Sequence, residues 1–95
     1  MSEIRKLRHM ATAGFEEKND VLVHAVPANE GTGIQINITS PVLLQFGDHI
    51  RDLIAAIVKS AGFNNIILDI KDKGAWDYTI KARVLTALER GMKDD

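Results

Sequence analysis

Residues 34–62 read IQINITSPVLLQFGDHIRDLIAAIVKSAG, and two periodicities meet in this one stretch. Up to residue 40, apolar and polar side chains alternate, which is typical of a strand with one face on a core and one face in water. Beyond Pro41 the apolar side chains recur at spacings of three and four, which predicts an amphipathic helix. Because the strand and the helix each need a partner for their apolar face, the stretch predicts a fold of two packed layers.

The predicted helix has a recognisable start and end. Ser40 can accept a hydrogen bond from a free backbone N–H group, and proline suits the first helical position. Gly62 is placed to end the helix in the left-handed conformation. The apolar stripe that we expect to be buried comprises Leu43, Phe46, Ile50, Leu53, Ile54, Ile57 and Ala61.

Two further strands and a second helix are predicted around this stretch. VLVHAVP at 21–27 and NNIILDI at 64–70 are rich in β-branched residues, and the glycine-containing segment 28–33 predicts an antiparallel hairpin between the strands that flank it. The order β-β-α-β-α predicts an α+β two-layer sandwich, in which a three-stranded sheet carries both helices on one face. The second helix is expected from about Ala75 to Arg90, with a buried face of Ile80, Val84, Leu85 and Leu88.

The length of 95 residues predicts one domain over residues 12–90, with a flexible N-terminal tail at 1–11 and a polar end at 91–95. The chain has no cysteine, which excludes disulfides and thiolate sites and suggests a reducing compartment. No apolar run approaches the ~18 residues of a membrane span, and the N-terminus lacks a signal-peptide pattern. We therefore expect a soluble, cytoplasmic protein that does not bind a membrane.

Composition and spacing give little support for catalysis, metal binding or nucleic-acid binding. The formal net charge of −1 argues against a nucleic-acid partner. The three histidines, His9, His24 and His49, show no paired spacing of the kind that binds zinc. KDKG at 71–74 lies between a predicted strand and a predicted helix, where backbone N–H groups could hold an anion, although a solvated turn is the simpler interpretation. No catalytic residue is identified.

Three segments carry a resemblance that changes this interpretation. They read AGFEEKNDVLVHAVP, then GIQINI followed by VLLQFGDHI, and then ILDIKDKGAWDYTIKARVLTAL. From about Thr12 to Leu88 the chain resembles the gamma chain of citrate lyase, its dedicated acyl carrier protein. The most specific pieces are Gln45-Phe46-Gly47, Asp72-Lys73-Gly74-Ala75 and the Ala82-Arg83 pair.

The resemblance implies a carrier rather than an enzyme. Members of this family bear a prosthetic group, phosphoribosyl dephospho-coenzyme A, which a transferase joins through a phosphodiester to a serine hydroxyl in the N-terminal loop. This implies a phosphoprotein whose terminal thiol holds an acetyl group. The implied partners are the citrate lyase alpha and beta chains, which exchange acetyl for citryl and cleave the citryl group.

The same resemblance places Lys18 at the position of the modified serine. The family loop reads close to AGTLESSDV, so Gly14, Glu17 and Asp20 fix the alignment, and residue 18 is lysine here. Lysine offers an amine, to which no phosphodiester can be made. Three explanations stay open: an engineered replacement, a natural relative that has lost the carrier role, or modification of another residue. The nearest hydroxyls, on Thr12 and Ser40, are both out of register with the motif.

Four residues before the second helix are candidates for contact with a partner or a phosphate: Asp72, Lys73, Gly74 and Trp76. Lys73 could meet a phosphate as a point charge. The structural alternative is a turn that needs the backbone freedom of glycine, with Asp72 near a helix N-terminus. An exposed Trp76 would favour a subunit interface. The alternative to a carrier is an interaction module of a lyase-type complex that carries no prosthetic group.

Overall fold

A computed structural model describes residues 4–93 of the chain, which form four strands and two helices. The α+β class expected from the sequence is confirmed. In chain order the elements are β1 (Ala11–Gly14), β2 (Val21–Pro27), β3 (Ile34–Thr39), α1 (Leu43–Ser60), β4 (Ile66–Asp72) and α2 (Asp77–Met92).

The sheet has four strands in the order β1-β2-β4-β3, and not the three strands expected. β1 pairs with β2 and β2 pairs with β4, both antiparallel, whereas β3 pairs with β4 in parallel. The predicted hairpin between β2 and β3 is therefore wrong, because β4 lies between these strands. β3 instead reaches β4 through α1, the kind of long crossover connection that a parallel pair requires.

One face of the sheet carries the core. Along β2 and β4 alternate residues are buried, and those between them are partly or fully exposed, so one face is covered and the other meets water. Both helices pack against the covered face, with Phe63 from the segment after α1 fully buried among them. The helical residues buried in this core are Ile50, Ile54, Ile57 and Val58 from α1, and Ile80, Val84, Ala87 and Leu88 from α2.

The helices differ from the prediction at their starts. α1 begins at Leu43 without a side-chain cap, although the Ser40 hydroxyl accepts a hydrogen bond from the Val42 N–H at 3.2 Å. Leu43 and Phe46 were expected in the buried stripe, but they are 41% and 50% exposed, and Phe46 lines a surface groove instead. The left-handed Gly62 after α1 is confirmed, with φ of 97°.

The second helix also departs from its expected limits and face. It begins at Asp77 rather than Ala75 and continues to Met92. Leu85, expected on the buried face, is 41% exposed, and Ala87 and Gly91 are buried instead. Smaller side chains allow this part of α2 to lie close to the N-terminal segment.

Part of that N-terminal segment packs on the domain. Leu7 is buried at 3% exposure, and the Arg5 N–H donates to the Gly62 carbonyl at 2.7 Å. A Cβ atom on Gly91 would lie 2.6 Å from Cδ2 of Leu7, so the segment closes tightly over the end of α2. Neither helix within residues 4–93 is long and apolar enough to cross a membrane.

Candidate functional site

The segment from Phe15 to Asp20, which contains Lys18, is a tight connection between β1 and β2. The Asp20 N–H donates to the Glu17 carbonyl at 2.9 Å, which closes a four-residue turn. Asn19, in its third position, has φ of +64°, as a type II turn requires. Lys18 occupies the second position of this turn, and its side chain is exposed. We refer to residues 17–20 as the Lys18 turn.

Asp20 anchors the turn to the second helix. Its carboxylate accepts two hydrogen bonds from the guanidinium of Arg83, from Nε at 3.0 Å and from Nη2 at 2.9 Å, and a third from the Val21 N–H at 2.7 Å. The hydrogen bonds from Arg83 hold the pKa of Asp20 below its ordinary value, with a further contribution from the Val21 N–H. The pKa of Arg83 is raised by the same pair. A planar fork on a carboxylate fixes orientation as well as distance.

The connection between β4 and α2 lies against the Lys18 turn. The Asn19 N–H donates to the Lys73 carbonyl at 2.8 Å, and the Lys73 N–H donates to the Asp20 carbonyl at 2.9 Å. The Lys73 ammonium lies 3.9 Å from a carboxylate oxygen of Glu16. The Lys18 turn and the KDKG segment at 71–74 are therefore neighbours, and main-chain hydrogen bonds join them.

Asp72 lies inside the protein. It is 2% exposed, and its two oxygens accept hydrogen bonds from the Ser40 hydroxyl at 2.7 Å and from the Ala75 N–H at 2.9 Å. Asp72 thus joins the segments that precede α1 and α2. The Ser40 hydroxyl is occupied by this contact, and the Thr12 hydroxyl lies 3.1 Å from Nδ1 of His24 on the sheet.

A groove of about 620 Å³ opens between the first turns of the two helices. Phe46, Trp76 and Tyr78 stand around it with exposed fractions of 50%, 69% and 65%. At its mouth Nε2 of His49 lies 2.7 Å from Oδ2 of Asp77. Of these three rings, only Trp76 was predicted as a contact residue, whereas the spacing of Phe46 had placed it in the buried stripe of the helix.

Arg83 was not predicted as a site residue, although it belongs to the Ala82-Arg83 pair, one of the most specific pieces of the resemblance. It meets Asp20 across 63 residues of chain, a separation that no local pattern reports. Among residues 4–93 no three histidine or acidic side chains are grouped so that they could hold a metal ion.

Replacing Arg83 with methionine should loosen the Lys18 turn, because the apolar stem is kept while the guanidinium fork is lost. We expect trypsin to cleave after Lys18 roughly two- to fivefold faster, the effect of removing a partly exposed ion pair of good geometry. The measurement is the rate of appearance of the fragment that begins at Asn19. Lys81→Met, on the exposed side of the same helix, is the matched control and should leave the rate unchanged.

The same substitution carries a pH signature. Because the pKa of Asp20 is lowered in the folded state, the pair stabilises the protein above about pH 4 and loses its effect as the pH falls through that lowered pKa. The free energy of unfolding in urea should therefore be higher for the parent chain than for Arg83→Met at pH 7. In strong acid the two free energies should become equal. A difference that stays constant with pH would show that Arg83 acts through packing alone.

The chemistry of residue 18 does not fit the phosphodiester attachment that the resemblance implies. A root for a long flexible arm should be exposed and held by a fixed backbone, and the Lys18 turn has both properties. A phosphodiester to the protein needs a hydroxyl oxygen, and the lysine side chain ends in an amine. Gly14, Glu17 and Asp20 frame the turn but contribute no hydroxyl either.

Comparison with known proteins agrees with the fold and with the resemblance in sequence. The family model for acyl carrier proteins described as malonate decarboxylase delta subunit (MdcD) matches residues 8–91. A chain of the Pseudomonas malonate decarboxylase hetero-tetramer, solved in complex with malonate, superposes with a TM-score of 0.71 at 19% identity, covering 95% of this chain and 91% of that chain. At that identity the superposition shows the fold alone.

Curated relatives are closer in sequence. The citrate lyase acyl carrier protein of Latilactobacillus sakei is 41% identical over 95% of this chain and 88% of its own length. Those of Halothermothrix orenii and Lacticaseibacillus casei are 38% and 42% identical, over 93% and 90% of this chain and 92% and 82% of their own lengths. The chain therefore belongs to the family of citrate lyase acyl carrier proteins, whose members are carrier subunits rather than catalysts.

Proposed function

We propose that this chain occupies the acyl carrier position of a citrate lyase complex, and that residue 18 is the position at which the prosthetic arm of such a carrier is rooted. The observation that carries the proposal is the Lys18 turn. Its tip is exposed, while its base is fixed by the Asp20–Arg83 pair and by main-chain hydrogen bonds to Lys73. The group proposed for this position is phosphoribosyl dephospho-coenzyme A.

The advantage of such a carrier lies in tethering. A thioester at the end of a covalent arm meets each partner site at high effective concentration, provided that the arm can span the distance. A rigid root suits this task, because the flexibility is then confined to the arm. The proposed partners are the citrate lyase alpha and beta chains, together with the transferase that attaches the arm, and the proposed location is the cytoplasm.

Lys18 favours a second function, that of an interaction module without a carrier role. With an amine at the tip of the turn, the chain as it stands has no hydroxyl at the attachment position. Such a chain would fill the carrier's place in the complex without passing an acyl group between the subunits. The two functions share the docking surfaces and differ only in whether residue 18 is loaded.

Intact-mass spectrometry after co-expression with the prosthetic-group transferase tests these proposals. We expect Lys18→Ser to gain the mass of the prosthetic group in most molecules and the parent chain to gain none. Lys18→Ala is the matched control, because it removes the lysine without supplying a hydroxyl. Circular dichroism of the three proteins would establish that they share one fold.

Each outcome selects among the explanations. Loading of Lys18→Ser alone supports residue 18 as the attachment position and makes the parent chain an unloaded subunit. Loading of the parent chain would overturn the assignment, and fragmentation would then name the residue that is modified. Absence of loading in all three proteins would overturn the carrier proposal and leave the interaction module.

A further inference from the structure

Exposed apolar side chains gather around the groove between α1 and α2. The aromatic rings of Phe46, Trp76 and Tyr78 line the groove and are at least half exposed. Leu43 and Leu44, on the same turn of α1 as Phe46 but outside the groove lining, are exposed as well. A folded protein gains no stability from leaving side chains of this size in water. Apolar patches of this kind mark interaction sites on soluble proteins.

The ionisable groups of the groove define the charge that would complement it. Asp77 and His49 stand at the mouth with more than half of each side chain exposed. Asp72 lies in the floor with both oxygens hydrogen-bonded. No lysine or arginine side chain is found among the groove's lining in the part of the chain that the structure describes. Aromatic faces beside a carboxylate attract a guanidinium, which can stack and pair at once.

Charge argues against a second copy of this chain as the occupant. A symmetric dimer built on this patch would set the same surface of each copy against the other. The groove lining within the described residues contains Asp77 but no lysine or arginine, so a second copy would bring no guanidinium to that carboxylate.

We propose that the groove is the docking site for an arginine-bearing segment of a catalytic partner subunit. An apolar side chain of that segment fills the groove, and its guanidinium stacks on Trp76 or Tyr78 and pairs with Asp77. The inference rests on the proposed function for the class of partner, a citrate lyase alpha or beta chain. Gly74 lines the groove and adjoins Asn19, so docking here brings the partner beside the Lys18 turn.

The test measures binding of the purified complex of citrate lyase alpha and beta chains to this chain by isothermal titration calorimetry. Trp76→Ala should raise Kd about thirtyfold or more, the effect expected for a buried aromatic anchor. Asp77→Asn should raise Kd by roughly tenfold, because the guanidinium loses its charged partner. Leu85→Ala is the matched control, because Leu85 is an exposed apolar residue of α2 that lies outside the groove. Its Kd should stay within about twofold of that of the parent chain.

The two proposals are tested by different experiments. The carrier function is tested by the mass of Lys18→Ser after co-expression with the transferase, whereas the docking groove is tested by the binding of the groove variants. Unchanged binding by Trp76→Ala and Asp77→Asn would overturn the groove alone. A loss with Leu85→Ala equal to that with Trp76→Ala would overturn it too, because any exposed apolar residue would then serve. If the parent chain does not bind the complex of the two lyase chains, the inference is overturned, and the mass result decides whether the carrier function is overturned as well.

A second copy remains a distinct outcome of the same set of variants. Sedimentation velocity of the chain alone should show a monomer at micromolar concentration. A dimer that dissociates in Trp76→Ala would name a second copy as the occupant and overturn the partner proposed here. Urea unfolding of each variant serves as a control. A variant whose urea midpoint equals that of the parent chain is folded, so a loss of binding by that variant is not caused by a loss of folding.

Discussion

Gly14→Ala is expected to destabilise the domain by about 3 kcal/mol or more, the sum of a strained backbone and a steric clash. Gly14 ends β1 with φ of +84°, and a Cβ atom built there would lie 1.9 Å from the carbonyl oxygen of Val21. A backbone atom cannot move aside as the end of a side chain can. We therefore expect the pairing of β1 with β2 to be disturbed, with the loss read as a lower urea midpoint.

Gly31→Ala provides the matched control. Gly31 has a similar φ of +91°, but a Cβ atom there would have nothing within 4 Å. Only the backbone strain applies, at a cost of about 1 kcal/mol. If the two variants lose equal stability, the contact between a Cβ atom at residue 14 and the Val21 carbonyl oxygen contributes nothing to the loss, and the prediction is wrong. For a domain of this size the expected difference corresponds to a shift in Tm of roughly 10 °C.

Asp72→Ala is expected to cost about 3 kcal/mol, because it removes the acceptor of two hydrogen bonds and leaves a void. The Ser40 hydroxyl and the Ala75 N–H both donate to this carboxyl group, which is almost wholly buried. Through these bonds Asp72 ties together the segments that lead into the two helices. Urea unfolding followed by circular dichroism measures the loss.

Asp69→Ala, three residues earlier on β4, separates this role from a general effect of charge. The Asp69 side chain is exposed and accepts one hydrogen bond from the Asn37 amide at 3.0 Å. Its removal should cost no more than about 0.5 kcal/mol. Equal losses for the two variants would contradict the assignment of Asp72 as the residue that joins the two segments.

The elements that the sequence predicted well are those with a long, regular pattern. The alternation of β3, the three-and-four spacing of α1 and the glycine after it each report a local preference, and the structure keeps all three. β1 was missed because ATAG is short and contains small residues rather than the bulky ones that mark a strand. It becomes a strand by pairing with β2, which is a tertiary effect.

The order of the strands could not be predicted from local sequence patterns, because it also depends on tertiary pairing. A glycine-containing turn between two strands fits a hairpin, but it also fits a connection that leaves room for a third strand. β4 takes the place beside β2, where its core-facing side chains Ile66, Leu68 and Ile70 are 1% exposed or less. The competition is decided by burial across the whole sheet, to which a turn of six residues contributes little.

The candidate site divides in the same way. The alignment of Lys18 with an attachment position came from the resemblance alone, and the structure shows that this residue lies in an exposed turn. The role of Asp72 in joining the segments before the two helices could be assigned only from its burial and hydrogen bonds. In the sequence, an aspartate before a helix is equally compatible with a surface position. The ion pair of Asp20 with Arg83 and the groove of Phe46, Trp76 and Tyr78 both join distant segments. Such sites exist only once the chain has folded.

The central place of β4 also affects the order in which the chain can fold during synthesis. β1 and β2 are made early and can pair at once, but the other edge of β2 stays open until residues 66–72 have left the ribosome. Until then a strand with Val21, Val23 and Ala25 on one face presents free N–H and carbonyl groups to any neighbouring chain. The last third of the polypeptide therefore protects the first third from aggregation.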